Sequence, residues 1–75
     1  MDTISILIKI PRREIAYLNF ILESYEGVAV VRTVDPHEGI VEVMVPPSYQ
    51  EEIKDILKDL GTEFPIQELT AAAKS

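Results

Sequence analysis

The fold is decided by residues 28–45, which read VAVVRTVDPHEGIVEVMV. Two runs rich in β-branched residues, 28–34 and 40–45, flank five turn-forming residues, 35–39. β-Branched side chains fit the pleated surface of a strand, whereas aspartate, proline and glycine favour tight loops. The stretch therefore predicts a β-hairpin.

The register of this hairpin follows from the character of its two faces. One register sets Arg32 opposite Glu42 on one face and leaves the other face almost uniformly aliphatic. A shift by one residue would place both charges against valines, because side chains alternate between the faces of a strand. We therefore expect helices on the aliphatic face and the Arg32–Glu42 pair on the open face. The opposed residues are then Val34 and Ile40, Val30 and Met44, Thr33 and Val41, Val31 and Val43, and Ala29 and Val45.

The segment before the hairpin predicts a strand followed by a helix. Isoleucine occupies every second position from 4 to 10, which indicates a strand with one buried face. Pro11 ends the strand, and residues 12–25 carry apolar residues at helical spacing, with Gly27 suited to the helix end. The inward positions of this helix are Ile15, Leu18, Ile21, Leu22 and Tyr25.

The segment after the hairpin predicts a second helix and a last strand. Pro46 and Pro47 stop the third strand, and residues 48–51 fit a capping box, in which Ser48 and Glu51 satisfy free amides. The inward stripe of the helix, which Gly61 ends, is Ile53, Ile56, Leu57 and Leu60.

Residues 63–69 alternate again and predict the fourth strand, with Phe64 and Ile66 directed inward. Pro65 lacks an amide hydrogen, which places this strand at an edge of the sheet. Residues 71–75 are expected to form a flexible tail.

The order of elements predicts an α+β fold, a ferredoxin-like βαββαβ two-layer sandwich. The expected antiparallel sheet has the strand order 4-1-3-2, with both helices on one face. The chain is then one domain, residues 1–70, with the tail 71–75.

Composition excludes several functions. Thirteen acidic and seven basic residues give a net charge of −6, which opposes nucleic-acid binding. No segment is apolar enough for a membrane span or a signal peptide, so we expect a cytoplasmic protein. The chain has no cysteine, which excludes disulfides and thiolate metal sites. Oligomerisation is the remaining aid to the stability of so small a domain, and a homodimer is predicted.

The polar residues indicate no catalytic, cofactor or metal site. Asp35, His37 and Glu38 could each ligate a metal, but a tight loop favours the same residues. Arg12 and Arg13 begin the predicted first helix, where free amides can hold an anion. With Arg32 they form a candidate site for a small anionic ligand. The simpler interpretation is solvated charge, paired with nearby glutamates.

Two apolar surfaces are not covered by the predicted packing of the helices on the sheet. One lies on the open sheet face, and the other on a flank of the first helix away from its buried stripe. Together they predict a buried oligomer or partner surface. The candidate interface residues are Leu7, Val30, Val34, Ile40 and Met44 on the sheet, and Tyr17 and Phe20 on the helix.

Three segments of the chain, residues 13–23, 27–33 and 39–47, resemble a bacterial family of short proteins classed as domain of unknown function 4911. The resemblance runs roughly from the first strand to the second helix. It implies a small stand-alone bacterial protein, and it assigns no activity or functional residues.

We therefore predict a non-enzymatic binding or regulatory module that self-associates through the open sheet face or the edge of residues 28–34. The order of elements also resembles ACT-type regulatory domains, which implies a sensor of a small anionic metabolite as the alternative. An arginine after the first strand resembles acylphosphatases, which implies an enzyme. That enzyme needs an asparagine on the sheet, whereas Asn19 lies in the predicted helix.

Overall fold

The computed structural model describes residues 3–24, 29–69 and 73–74, which form an antiparallel sheet and two α-helices. Each helix is preceded by a 3-10 turn, at Arg12–Glu14 and at Pro47–Tyr49. Within the described residues, neither helix has the length and apolar character that a membrane crossing requires. The strands are β1 (Ile4–Lys9), β2 (Val30–Asp35), β3 (Ile40–Val45), β4 (Gln67–Glu68) and β5 (Ala73–Lys74), and the helices are α1 (Ile15–Ser24) and α2 (Gln50–Leu60).

The sheet has the order β2-β3-β1-β4, and β5 also pairs with β1. This confirms an α+β fold and the predicted strand order, read from the other edge. Most of the hairpin register is confirmed as well: the pairs are Val30 with Met44, Val31 with Val43, Arg32 with Glu42, and Thr33 with Val41.

The hairpin departs from the prediction beside its loop. Asp35, and not Val34, pairs with Ile40, so the prediction for Val34 was wrong by one residue and the strand is irregular there. The side chain of Asp35 is the cause, because its Oδ1 accepts hydrogen bonds from the amides of His37 and Glu38, at 3.0 and 3.1 Å. This cap holds Asp35 at the strand end and leaves Val34 as the extra residue of a bulge. The predicted partner of Val45, Ala29, precedes β2.

The core lies between the helices and one face of the sheet. The isoleucines of β1 are directed into it, as the alternation predicted, and α2 contributes the predicted stripe with Ile56 partly buried. Of the predicted stripe on α1, Ile15 and Ile21 are partly buried, and Tyr25 lies outside the described residues, as does Gly27. The buried apolar residues are Ile6, Ile8, Ile10, Leu18, Leu22, Ala29, Val41, Val43, Val45, Ile53, Leu57, Leu60 and Phe64.

The predicted capping box of α2 is wrong. The N-cap is Tyr49, which makes no side-chain capping bond, and Ser48 lies inside the preceding 3-10 turn. The prolines explain the shift, because Pro47 starts the turn and the amide of Tyr49 donates to the carbonyl of Pro46 at 2.9 Å. The chain enters the helix through this turn, so Ser48 is in the wrong place to cap it.

The last strand is shorter than predicted. Turns continue after α2, with the amides of Glu63 and Phe64 donating to the carbonyl of Leu60, so regular pairing begins only at Gln67. Phe64 is buried and Ile66 is partly buried, as predicted. Within the predicted tail, Ala73–Lys74 pairs with Ile4 and Ser5 of β1.

A close backbone contact constrains Gly39, the last residue of the hairpin loop. Its φ is +74°, and a Cβ atom there would lie 2.0 Å from the carbonyl oxygen of Ile10. We expect Gly39→Ala to lower the free energy of unfolding by about 2 kcal/mol or more, from strain and from the clash. Urea denaturation followed by circular dichroism measures this loss.

Gly61→Ala is the matched control, because Gly61 has a right-handed φ of −62° at the exposed end of α2. We expect its effect to stay within about 1 kcal/mol. Equal losses for the two variants would contradict the constraint at Gly39.

Candidate binding surfaces

The open sheet face has a polar centre built around Glu42. Its Oε1 accepts hydrogen bonds from Nη2 and Nε of Arg32, at 2.8 and 3.1 Å, and its Oε2 accepts one from the hydroxyl of Ser5, at 2.8 Å. β3 lies between β1 and β2, so Ser5 and Arg32 approach the carboxylate from neighbouring strands. The structure confirms the predicted Arg32–Glu42 pair and adds Ser5, which the sequence analysis missed.

These partners keep Glu42 ionised. The hydrogen bond from Ser5 contributes most to lowering the pKa of Glu42 below its ordinary value of 4.5, and Arg32 lowers it further, while burial acts in the opposite direction. The side chain of Glu42 is only 16% exposed, whereas that of Arg32 is 68% exposed. The charge at the centre of this face is therefore already neutralised within the chain.

The exposed apolar area of the open face is concentrated on β2. Val30 is 57% exposed, and Val34, in the bulge, is 48% exposed. The other predicted interface residues on the sheet, Leu7, Ile40 and Met44, are half-buried. The apolar surface is thus greatest at the edge strand and not at the middle of the sheet.

The two predicted interface residues of α1 lie on the helix layer, apart from the sheet face. The hydroxyl of Tyr17 donates to Oε1 of Glu63 at 3.3 Å, and its ring meets Phe64 edge-on with centroids 6.3 Å apart. The negative charge of Glu63 is the main cause of a raised pKa at Tyr17. Tyr17 thus makes contacts within the chain, whereas Phe20 remains 67% exposed.

The three candidate anion-binding arginines lie in different places. Arg32 is paired with Glu42, and Arg13 lies near Glu14, with 3.6 Å between Nε and Oε2. Arg12 makes no ion pair or side-chain hydrogen bond with any described residue. It lines a cleft at the end of the sheet that neither of the other two arginines lines.

This sheet-end cleft has a volume of about 430 Å³ and is formed by three separate segments. The end of β1, the β2–β3 loop and the approach to β4 meet there because the strand order brings them to one end of the sheet. The predicted strand order already implies that these three segments meet, although none of them alone indicates a cleft. The lining residues are Lys9, Ile10, Pro11, Arg12, His37, Glu38, Pro65, Ile66 and Gln67.

Two of the three loop residues that could ligate a metal, Asp35 and Glu38, have structural roles. Asp35 caps the loop, and Glu38 forms an ion pair with Lys9 at 3.2 Å. Among residues 3–24, 29–69 and 73–74, no three acidic or histidine side chains are grouped as a metal site requires. The loop is thus built by turn chemistry and one cross-strand ion pair.

Removing the hydroxyl of Ser5 tests the polar centre. We expect Ser5→Ala to raise the pKa of Glu42 and to lower the free energy of unfolding at neutral pH by about 1 kcal/mol. Because the pKa of Glu42 is lower in the folded state, its contribution is present above the unfolded value and lost as pH falls through the folded value. The variant should therefore lose less stability than the wild type on acidification, as measured by NMR titration and by denaturation across pH 2–7.

Ser24→Ala is the matched control, because the hydroxyl of Ser24 donates to the carbonyl of Phe20 on α1, at 2.6 Å. It should leave the titration of Glu42 unchanged. An unchanged pKa of Glu42 in Ser5→Ala would contradict the geometry described above.

The comparisons with known proteins give one match. Residues 8–63 match the family described as Domain of unknown function (DUF4911). No curated protein and no solved structure matches the chain. The matched range takes in both helices, β2, β3, most of the polar centre, and two of the three segments that form the sheet-end cleft. The chain therefore belongs to the DUF4911 family.

Proposed function

We propose that this chain is a non-enzymatic binding module with a ferredoxin-like fold that self-associates through β2. The strand order and the two helices support the name of the fold. The observation that carries the function is the exposure of Val30 and Val34 on the outermost strand of the sheet. A cytoplasmic location and a bacterial source stay predictions of the sequence.

The edge of β2 supports association with a second copy. Among the described strands β2 pairs only with β3, so the backbone groups of its outer edge are available. Two identical edges pair antiparallel about a two-fold axis and extend the sheet from one copy into the next. The regular part of β2, residues 30–33, contains no proline, and its one charge, Arg32, is paired with Glu42. Pairing along residues 30–33 thus leaves no unneutralised charge in that stretch, and Asp35, at the end of β2, is held by the amides of His37 and Glu38.

The charge of the chain sets the strength of such an association. Two copies of a chain with a net charge of −6 repel each other, and only the apolar contact and the backbone bonds oppose that repulsion. Burying an exposed valine contributes at most about 1.5–3 kcal/mol, before the entropic cost of association. The proposal is therefore a modest, salt-sensitive dimer.

The enzymatic alternative keeps one supporting feature, Arg12 after β1, but the described residues do not supply the second group that such chemistry needs. Asn19, the asparagine that acylphosphatase-like chemistry would need on the sheet, lies on α1. His37 is exposed on the hairpin loop and lines the cleft without a carboxylate hydrogen bond among its described contacts. We therefore propose a binding role for this chain.

Substitution of the two exposed valines tests the dimer. We expect size-exclusion chromatography with light scattering to give twice the chain mass of 8.4 kDa for the wild type and the single chain mass for Val30→Lys/Val34→Lys. Lysine is used because it protects an edge strand and also reduces the net negative charge, so greater repulsion between the net charges of the two acidic chains cannot explain the loss.

Phe20→Lys is the control, because Phe20 is as exposed as the valines but lies on α1. It should keep the dimer mass. A wild-type chain that is monomeric at all concentrations would contradict the proposal, and so would a double-lysine variant that remains dimeric.

Ionic strength provides a second test. Repulsion between the two acidic chains is screened by salt, whereas the apolar contact is not. We expect the dimer dissociation constant, measured by sedimentation equilibrium, to fall as sodium chloride rises from 20 to 300 mM. A dimer that weakens over this range would indicate an interface made by ion pairs and would contradict the valine contact.

A further inference from the structure

The sheet-end cleft has walls that are fixed by backbone contacts. The amide of Ile10 donates to the carbonyl of Gly39 at 2.9 Å, which holds the end of β1 against the hairpin loop. Lys9 is paired with Ile40 on one side and Gln67 on the other. The loop itself is capped by Asp35. A cleft built this way is already formed before a ligand arrives, which lowers the cost of binding.

The charges of the cleft favour an anion. Two basic side chains, Lys9 and Arg12, line it against one acidic side chain, Glu38. Glu38 is paired with Lys9 at 3.2 Å, so its charge is offset within the chain. Arg12 is exposed and has no ion-pair partner among the described residues, which leaves its guanidinium available for a bidentate contact. In a chain of net charge −6, this local positive excess is opposite in sign to the whole molecule.

The remaining lining determines the class of ligand. Pro11, Pro65 and Ile66 give the cleft an apolar wall next to Arg12. Among the described lining residues Arg12 is the one unpaired cation, because Lys9 is paired with Glu38, and one cation matches one negative charge. A volume of about 430 Å³ lies within the range of small-molecule sites. We propose that the sheet-end cleft binds a small organic carboxylate, with Arg12 on the acid group and an apolar body against the prolines and Ile66.

This inference deepens the proposed binding function by naming its ligand class, and it does not depend on self-association. The test uses the full chain, labelled with nitrogen-15, and titrates it with benzoate and hexanoate, with benzamide as the neutral analogue of benzoate. We expect both carboxylates to shift the amide signals of Arg12, His37 and Gln67. Benzamide should bind at least about tenfold more weakly, because it lacks the charge-assisted bonds to Arg12.

Two arginines in the same turn provide a matched pair of variants. Arg12→Ala should weaken benzoate binding at least about tenfold. Arg13→Ala should leave it unchanged, because Arg13 is 81% exposed, lies near Glu14 and does not line the cleft. Glu38→Gln should strengthen binding, because it removes the acidic side chain from the cleft. A misfolded variant would not show that gain.

Four results would overturn the inference: no amide shifts with either carboxylate, equal binding of benzamide, full binding by Arg12→Ala, or equal shifts with inorganic phosphate. The mass measurement on the valine variants separates this inference from the dimer. If the chain is a dimer that does not bind carboxylates, only the ligand proposal is wrong. If the chain is a monomer that binds them, only the self-association proposal is wrong.

Discussion

The backbone contact between Ile10 and Gly39 holds together the elements that form both candidate surfaces. The amide of Ile10 donates to the carbonyl of Gly39, and the space beside Gly39 is too small for any side chain. This contact ties the end of β1 to the loop of the hairpin and so supports the register of β3 on β1. That register places Ser5 beside Glu42, and the same contact closes one wall of the sheet-end cleft. A single glycine thus supports both candidate surfaces.

The two surfaces differ in how their charges are arranged. On the open face, Ser5 and Arg32 satisfy Glu42, so the remaining character of β2 is apolar. At the cleft, Lys9 offsets Glu38 and Arg12 is left without a described partner. The first arrangement suits contact with another apolar edge, and the second suits a small anion. Both follow from which strand each charged residue occupies.

The strand order and the Arg32–Glu42 pair could be predicted from the sequence, because alternation and turn residues determine which face each side chain occupies. The bulge at Val34 could not be predicted, since the side chain of Asp35 accepts a hydrogen bond from a loop amide and so shifts the pairing at the end of the strand. The capping box failed for a similar reason, because Pro47 begins a turn before the helix. The three arginines looked like one site in sequence, yet each lies in a different setting. The cleft forms only where three segments meet, and no sequence pattern within any one of these segments indicates it.

Amide hydrogen exchange can detect pairing of the outer edge of β2 with a second copy. At protein concentrations where the dimer is populated, the amides of residues 30–33 that point away from β3 should exchange slowly, and dilution should make them exchange fast. The exchange of β1, which lies inside the sheet, should not change. Fast exchange of the outer amides of β2 at every concentration would contradict pairing of this edge with a second copy.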